Sequence, residues 1–594
     1  MATYKAPLRD IRFVLNEVLA DSEPLPGDEE YGADTADAIL EAAAQICEEV
    51  LQPLNRSGDE EGSVLENGVV RTPKGFKEAY EAFREGGWVG MPCAVEDGGQ
   101  GMPRLLHNVV KEMFCSANLA FGMFPGLSNG AYAAIRAHAV EELKRAYLPK
   151  LATGEWTGTM CLTEPQCGTD LGLIRTRAVP KGDGSYAITG TKIFISCGDH
   201  DFTDNIVHLV LAKLPDAPEG IRGISLFLVP KRLPMADGKP GVHNGVSTGA
   251  LEHKMGIKAS PTCVLNFENS VGWLVGGMHK GMRCMFTMMN EARLSVGMQG
   301  LGLAEVAYQN ARDYARERTQ GRSVSGTKDA AKTADPIIVH PDVRKNLLSI
   351  RSFTEGARVM AYWTGRLLDE SEKHPDAAKR EAADELVQLL TPIVKAYLTD
   401  QGFASTVTAQ QVYGGHGYIR EHGVEQFVRD ARIAQIYEGT NGIQALDLVG
   451  RKLPQNMGRL LRRFFHPVDT FIQANGTEPK LAEFVMPLAK AFAKLQQATA
   501  QLAEKGLKDP EEAVSGATDY LRLFGHVVMG FLWCRIVKLA QAKIAAGNDA
   551  DGFYAAKVMT ARFFIERVLP ETDTLFRTVL AGRKTLMEMP AEAF

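Results

Sequence analysis

The sequence lacks clustered cysteines, and this excludes two classes of small-module architecture. Its nine cysteines are scattered over 594 residues and never form a CxxC pair. The closest two, Cys161 and Cys167, stand at a spacing that no common zinc site uses. The distribution argues against a disulfide scaffold and against a zinc module. It predicts reduced, mostly buried thiols in a cytosolic protein.

The sequence also lacks a basic excess, an apolar leader and histidines at metal-ligand spacing. Sixty-six basic and 72 acidic residues give a net charge of −6, which argues against a general binder of nucleic acid or anionic membranes. The opening MATYKAPLRDIRF carries charges where a signal peptide needs an apolar core. The apolar run VVMGFLWC (527–534) is too short to span a bilayer. We therefore expect a cytoplasmic protein with no integral membrane segment, no nucleic-acid partner and no metal.

A chain of 594 residues is too long for one core, so several domains are expected. Apolar residues at helical spacing open the chain at Leu8, Ile11, Leu15 and Val18, and an acidic arm follows. Helical periodicity then continues to about residue 155. This pattern predicts an N-terminal helix and arm over 1–35 and a helical domain over 36–159.

The pattern changes near residue 160. Short β-branched or aromatic runs follow one another between turn residues: AITGTKIFIS, NIVHLVLAKL, GISLFLVP and CVLNFEN. They predict a compact antiparallel barrel or sandwich over 160–285. The absence of βαβ alternation makes a Rossmann-type domain an unfavourable interpretation.

Helices resume at Asn290 and continue, apart from a polar loop at 320–336, to the end of the chain. The stretch GMQGLGLAE looks like a dinucleotide loop, but no strand precedes it. Its small residues therefore indicate close helix packing instead. We expect a four-helix domain over 286–450 and an additional helical domain over 451–594.

One short motif carries the chemistry. IYEGTNGIQ (436–444) places Glu438 between the apolar pair Ile436 and Tyr437 and the small Gly439. A carboxylate that removes a proton from carbon needs a dry flank that raises its basicity and room for the substrate. The alternative interpretation is a structural carboxylate that caps a helix or pairs with Arg432.

Three stretches, in order, carry a resemblance to a known family. CLTEPQCGTD (161–170), TKIFISCG (191–198) and QQVYGGHGYIREHGVEQFVRDARIAQIYEGTNGIQ (410–444) are similar to the signatures of acyl-CoA dehydrogenases. The resemblance covers roughly residues 36–450. The N-terminal helix and the C-terminal helical block resemble a long bacterial branch that acts on 3-methylmercaptopropionyl-CoA and related fatty acyl-CoAs.

The resemblance implies a fold and a reaction. The expected fold is mainly α with a β-barrel middle domain, between a helical N-terminal domain and a C-terminal four-helix bundle, plus the extra helices. The expected reaction is FAD-dependent α,β-dehydrogenation of an acyl-CoA to the trans-2-enoyl-CoA. Glu438 matches the family's base. Some members carry the base on the helix that opens the C-terminal domain, where this chain has Ala292, with Glu291 about 100° away around the helix.

The resemblance also implies the binding residues. The expected FAD contacts are Leu162, Thr163, Thr169, Phe194, Ser196, Arg318, Gln411, Gly414, Gly415 and Thr440. The expected substrate contacts are Thr169, Arg293 and Gly439, with a helix-surface ion pair as the alternative role of Arg293. Arg318, Gln411 and the two glycines would serve the FAD of a neighbouring subunit.

Two departures fall at the adenine end of the expected FAD site. Gly321 stands where the family motif has phenylalanine, and Pro341 stands where many members have glutamine. The expected partners are an acyl-CoA, an electron-transfer flavoprotein as acceptor and a second copy in a homodimer. An acyl-CoA oxidase that passes electrons to O₂ and a catalytically silent flavin-binding scaffold stay open as alternatives.

Overall fold

The computed structural model describes residues 2–594 and divides the chain into two compact units. The first unit comprises residues 1–41, 104–112 and 296–594, and the second comprises residues 42–103 and 113–295. Each unit has its own buried core. The expected order of helices, strands and helices is confirmed, whereas the five domain boundaries stay a prediction.

The helices, in chain order, are α1 Leu8–Phe13, α2 Ala33–Gln45, α3 Pro53–Glu61, α4 Phe76–Glu85, α5 Arg104–Ala117, α6 Leu119–His138, α7 Glu141–Ala152, α8 Gly281–Glu317, α9 Pro341–Lys373, α10 Ala377–Val412, α11 Val424–Arg432, α12 Asn441–Asp447, α13 Arg459–Asn475, α14 Ala482–Lys508, α15 Pro510–Ser515, α16 Ala517–Ala545, α17 Phe553–Phe563, α18 Glu571–Leu580 and α19 Lys584–Met587.

The strands are β1 Val64–Glu66, β2 Val69–Arg71, β3 Thr157–Cys161, β4 Arg177–Pro180, β5 Tyr186–Ser196, β6 Ile206–Lys213, β7 Ile224–Pro230, β8 Arg232–Pro234, β9 Pro240–His243, β10 Val246–Leu251 and β11 Thr262–Val275.

The sheet of the second unit closes on itself. Strand β11 pairs with β5, β5 with β4, β4 with β6, β6 with β7, and β7 again with β11, so these five strands form a barrel. Strands β10 and β3 extend it at either end. Apolar side chains that alternate along β5 and β11, among them Ile188, Ile195 and Phe267, fill the interior.

Two details of the sequence interpretation were wrong. Strand β3 runs parallel to β6, with Thr159 opposite His208, so the sheet is not purely antiparallel. The hairpin of β1 and β2 interrupts the N-terminal region that the periodicity assigned to helices alone. Neither could be seen locally, because strand direction depends on distant pairing partners and strands of three residues carry almost no periodicity.

Within the first unit, helices α8 and α10 touch backbone to backbone. A Cβ added at Gly300 would lie 2.4 Å from the carbonyl oxygen of Leu398, and one added at Gly402 would lie 2.4 Å from that of Gly300. A Cβ at Gly297 would lie 2.8 Å from the side chain of Val394. The prediction that GMQGLGLAE packs helices closely is confirmed.

Buried charges hold the N-terminal helix to the rest of the first unit. Arg358, 1% exposed, pairs with Asp10, with Glu112 at 2.6 Å and with Glu305 at 2.8 Å. Lys557, 2% exposed, pairs with Asp10 and with Glu355. Buried ion pairs of this kind are costly to break on one side, because the remaining charge has no compensation.

All nine cysteines are free and buried, as predicted. Among residues 2–594, α16 alone passes a length and hydropathy test for a membrane span, and 83% of its most apolar stretch is buried inside the structure. The run VVMGFLWC is thus part of a longer apolar helix than the sequence interpretation recognised, and its burial is typical of a core helix.

Candidate active site

One candidate region, in the second unit, is the turn at residues 162–164, called here the Thr163 turn, which directly follows β3. Lys192 of β5 is fully buried, and its Nζ donates to the carbonyl oxygen of Leu162 at 2.9 Å and to Oε1 of Glu164 at 2.8 Å. The backbone N–H of Ile193 donates to the carbonyl oxygen of Thr163 at 2.9 Å. These hydrogen bonds from β5 therefore fix the backbone that the resemblance assigns to flavin binding.

Glu164 is the anion of this turn. It is 3% exposed and also accepts hydrogen bonds from the Oγ1 and N–H of Thr176 and from the N–H of Arg175. Burial alone would raise the pKa of Glu164, but the charge of Lys192 and these hydrogen bonds outweigh burial and lower that pKa to about 2. The carboxylate is ionised at neutral pH.

Phe194 and Ser196 lie on the same strand, two and four residues beyond Lys192. Phe194 has φ +58° and is 58% exposed, although the preceding and following residues are more buried. A left-handed backbone costs a residue with a Cβ about 1–2 kcal/mol, so this geometry points to a constraint other than packing. Ser196 is half-buried and pairs with Thr262 of β11. Of the two threonines assigned to the flavin, Thr163 is half-buried and Thr169 is exposed.

Another candidate region, in the first unit, is the segment 436–441, called here the Glu438 loop, which ends at the first residue of α12. Glu438 has φ +59° and Gly439 has φ +82°, so two consecutive residues are left-handed. Nε2 of the buried Gln444 donates to both of their carbonyl oxygens, at 3.1 and 3.2 Å, and Lys395 donates to that of Gly439 at 2.8 Å. Thr440 caps α12 by accepting from the N–H of Ile443. Glu438 is half-buried.

A glycine is required at position 439 for two reasons. Its backbone is left-handed, and a Cβ there would lie 2.8 Å from Nε2 of Gln444. Gln444 therefore uses part of the space beside this glycine, and the approach of a substrate to Gly439 stays a prediction.

One expectation about the surroundings of Glu438 needs correction. Ile436 is 45% exposed, so it does not provide the dry flank expected within the chain. Arg432, the partner of Glu438 in the alternative interpretation, donates to Oε1 of Gln435 at 3.0 Å and lies over the ring of Phe403. The hydroxyl of Tyr437 donates to Gln299.

Arg293 is buried, with 4% of its surface exposed, and its guanidinium lies 5.9 Å from the centre of the Phe286 ring. The alternative interpretation of Arg293 as a helix-surface residue is therefore wrong. Its assignment to the substrate stays a prediction.

The segment that the resemblance assigns to a neighbour's FAD is fixed to the end of α8. Tyr413 stacks on Tyr314 with ring centres 4.1 Å apart, and the hydroxyl of Tyr314 lies 2.7 Å from Nδ1 of His416. Arg318 follows one turn after Tyr314 and is exposed, as is Gln411. The structure thus brings the Arg318 end of α8 to the glycine segment.

Sequence reasoning missed Lys192, Lys395 and Gln444, which hold the two loops. A signal was present for the lysines. Lys395 stands inside the apolar run PIVKAYL, Lys192 directly precedes the apolar run IFI, and a lysine among apolar residues needs a buried partner.

The residues present fit a flavin cofactor. The exposed Phe194 offers an apolar face. Ser196 lies two residues further along the same strand, and the backbone of Thr163 accepts from the N–H of Ile193, so both half-buried residues offer hydrogen-bonding groups beside this part of β5. A Cβ added at Gly414 or Gly415 would meet no atom within 4 Å, so the chain leaves open space above this backbone, as a diphosphate contact would need.

Comparisons with known proteins agree with this fit. Family models match in chain order: the N-terminal domain of acyl-CoA dehydrogenase at residues 33–155, its middle domain at 159–270 and its C-terminal domain at 279–453. A model described as acetyl-CoA dehydrogenase C-terminal like matches residues 464–590, within the additional helical block.

Relatives match over the whole chain. A 3-methylmercaptopropionyl-CoA dehydrogenase of Ruegeria pomeroyi is 44% identical over 96% of both chains. A butyryl-CoA dehydrogenase of Syntrophomonas wolfei is 35% identical over 100% of this chain and 99% of the relative. The crystal structure of an acyl-CoA dehydrogenase of Bacillus anthracis, complexed with FAD, has a TM-score of 0.75 at 23% identity over 98% of this chain and 92% of that one, which shows the shared fold. The chain belongs to the acyl-CoA dehydrogenase family of oxidoreductases, and its cofactor is FAD.

Proposed function

We propose that this chain converts an acyl-CoA thioester to the trans-2-enoyl-CoA, with Glu438 as the base that removes the α-proton. The observation that carries the proposal is the Glu438 loop. Glu438 is held in a left-handed backbone beside a glycine, and three hydrogen bonds fix the two carbonyl groups around it. Backbone strain of this kind persists only where surrounding contacts enforce it, and it concentrates at functional sites.

The division of work follows from the residues. The carboxylate of Glu438 takes the α-proton, and the electron pair of the broken C–H bond forms the double bond as hydride leaves the β-carbon. What FAD supplies when bound is the acceptor for that hydride. Leu162, Thr163, Thr169, Phe194, Ser196 and Thr440 are proposed to bind it, with Arg318, Gln411, Gly414 and Gly415 acting on the neighbouring subunit's cofactor.

We propose 3-methylmercaptopropionyl-CoA as the first substrate to test, followed by other short acyl-CoAs. The 44% identity to a 3-methylmercaptopropionyl-CoA dehydrogenase over 96% of the chain supports this order. The 35% identity to a butyryl-CoA dehydrogenase supports a short acyl group more generally. Thr169, Arg293 and Gly439 are the proposed substrate contacts, and an electron-transfer flavoprotein is the proposed acceptor.

We further propose a homodimer in the cytoplasm. Helices α13–α19 add a helical block that would cover surface used for tetramer formation in shorter members. Light scattering that gives a stable tetramer would contradict this assembly.

The decisive experiment compares the parent with Glu438→Gln in anaerobic stopped-flow reduction by an acyl-CoA. Glutamine keeps the shape but cannot accept the proton, so FAD and acyl-CoA should stay bound while flavin reduction slows by about 10²–10⁴-fold. Reduction within tenfold of the parental rate would overturn the assignment of Glu438 and direct the search to Glu291. Release of hydrogen peroxide in air without an added acceptor would instead identify an oxidase.

A further inference from the structure

Lys395 lies in α10, outside the sequence motifs that identify the family. Its side chain is fully buried, and its Nζ donates to the carbonyl oxygen of Gly439 at 2.8 Å and to Oδ1 of Asn441 at 2.8 Å. Both acceptors belong to the Glu438 loop. A buried ammonium is retained only where its hydrogen bonds are satisfied, so this loop and this lysine depend on each other.

Asn441 connects Lys395 to a carboxylate. Its Nδ2 donates to Oδ1 of Asp400 at 2.6 Å, and it lies 3.0 Å from Oγ1 of Thr399. An ammonium can only donate and an ionised carboxylate can only accept, so the Asn441 amide has one possible orientation between them. The amide therefore links a cation to an anion.

Asp400 also holds the chain before Glu438. Its Oδ1 accepts from Nε2 of Gln435 at 2.7 Å. Lys395 and Asp400 lie within a turn and a half of α10. Asp400 thus fixes the start of the loop through Gln435, and Lys395 fixes its end through Gly439 and Asn441. Glu438 is the residue that this arrangement encloses.

We propose that Lys395 is a positioning residue for Glu438, acting through Gly439 and Asn441; the proposal rests on the proposed function of Glu438 as the base. Without the ammonium, the Gly439 carbonyl keeps only its contact of 3.2 Å with Gln444, and the Asn441 amide loses one of its two charged partners. The left-handed backbone at Glu438 can then relax, which moves the carboxylate. A displacement of about 1 Å can slow a reaction by about 10²-fold.

The test compares Lys395→Met with Lys557→Met in the FAD-loaded enzyme. Lys557 is a matched control because it is also a buried lysine of the first unit, 2% exposed, but pairs with Asp10 and Glu355. We expect Lys395→Met to keep its FAD, to bind acyl-CoA within about threefold of the parent, and to reduce flavin about 10–100-fold more slowly. Lys557→Met should lose thermal stability and reduce flavin within about twofold of the parent.

Asn441→Leu provides a second route if Lys395→Met does not fold. Leucine keeps the volume but can neither accept from Lys395 nor donate to Asp400, so it should slow reduction to a similar extent. The positioning role would be overturned if Lys395→Met and Asn441→Leu reduced flavin at the parental rate. It would also be overturned if Lys395→Met and Lys557→Met slowed flavin reduction equally. If Glu438→Gln is inactive in that case, the proposed function stands alone; if Glu438→Gln is fully active, both proposals are wrong.

Discussion

The Thr163 turn and the Glu438 loop are both fixed by buried hydrogen bonds, but the partners in those hydrogen bonds differ. Each is held by one fully buried lysine, Lys192 in the first and Lys395 in the second. Near each lysine or its contacts lies a residue with a Cβ in left-handed backbone: Phe194 at φ +58°, two residues after Lys192, and Glu438 at φ +59°, within the loop. The lysines differ in the partners that hold each segment: Lys192 meets the carboxylate of Glu164 directly, whereas Lys395 is linked to Asp400 through the amide of Asn441.

Because of this difference, removing the two lysines should affect the stability of the fold and the rate of flavin reduction to different extents. Removing Lys192 leaves a buried, ionised carboxylate without its counter-charge, which is expensive for the folded state. Removing Lys395 leaves a peptide carbonyl and an amide oxygen, whose loss of one hydrogen bond is less costly. We therefore expect loss of Lys192 to impair mainly folding and FAD retention, and loss of Lys395 to impair mainly catalysis.

The largest expected effect on stability is that of Lys192→Met. Loss of the partner of buried Glu164 should lower the free energy of unfolding by about 3–5 kcal/mol and reduce the FAD content of the purified protein. Denaturant unfolding and the absorbance ratio of flavin to protein measure the two effects. In the double variant with Glu164→Gln, part of the lost stability should return, because no charge is then left behind.

A Lys192→Met variant with parental stability and full FAD content would remove the distinction between the two regions. So would a Lys395→Met variant that loses as much stability as Lys192→Met. Both variants are therefore measured in the same denaturant series.

The second prediction concerns pH. Glu164 has a pKa of about 2 against an ordinary value of 4.5, so its stabilising contribution is complete above pH 4.5 and is lost as the pH falls towards 2. The lowered pKa corresponds to about 3 kcal/mol. The net effect of the pair is smaller, because burial lowers the pKa of Lys192 and so disfavours its charged form.

The measurement is the difference in unfolding free energy between the parent and Glu164→Gln. This difference should shrink as the pH is lowered from 4.5 towards 2, since the parent's carboxylate is then protonated too. Between the parent and Lys395→Met the difference should change less over the same range, because the direct acceptors of Lys395 on the loop, Gly439 and Asn441, are neutral. Equal pH dependence at both sites would contradict the larger contribution assigned to the ion pair of the turn.

The two regions also show which features could be predicted from sequence. The helix–strand–helix order and the close packing at GMQGLGLAE followed from local patterns, and the structure confirms both. The motifs located Glu438 and Phe194 as candidates, and their roles stay predictions. Their left-handed backbones could not be foreseen, because neither residue type favours that conformation.

The supporting residues could not be paired from sequence because their partners are distant along the chain. Lys192 and Glu164 are 28 residues apart, and Lys395 and Gly439 are 44 apart. Periodicity reports which side of an element is buried but not what it meets there. The same limit explains why the parallel pairing of β3 with β6 and the exposure of Ile436 were missed.

The smallest predicted effect tests the backbone strain of the Glu438 loop directly. Glycine adopts left-handed backbone freely, whereas alanine does so at a cost of about 1 kcal/mol or more. If Lys395 and Gln444 enforce φ +59° at position 438, Glu438→Gly should be about 1 kcal/mol more stable than Glu438→Ala. Ile436, two residues earlier with φ −103°, is the control, and there the alanine variant should be the more stable one. Denaturant unfolding of the four variants gives both differences. If alanine gave the more stable variant at both positions, the left-handed geometry at Glu438 would not be maintained against relaxation. The comparison of Glu438 with Phe194 would then no longer hold.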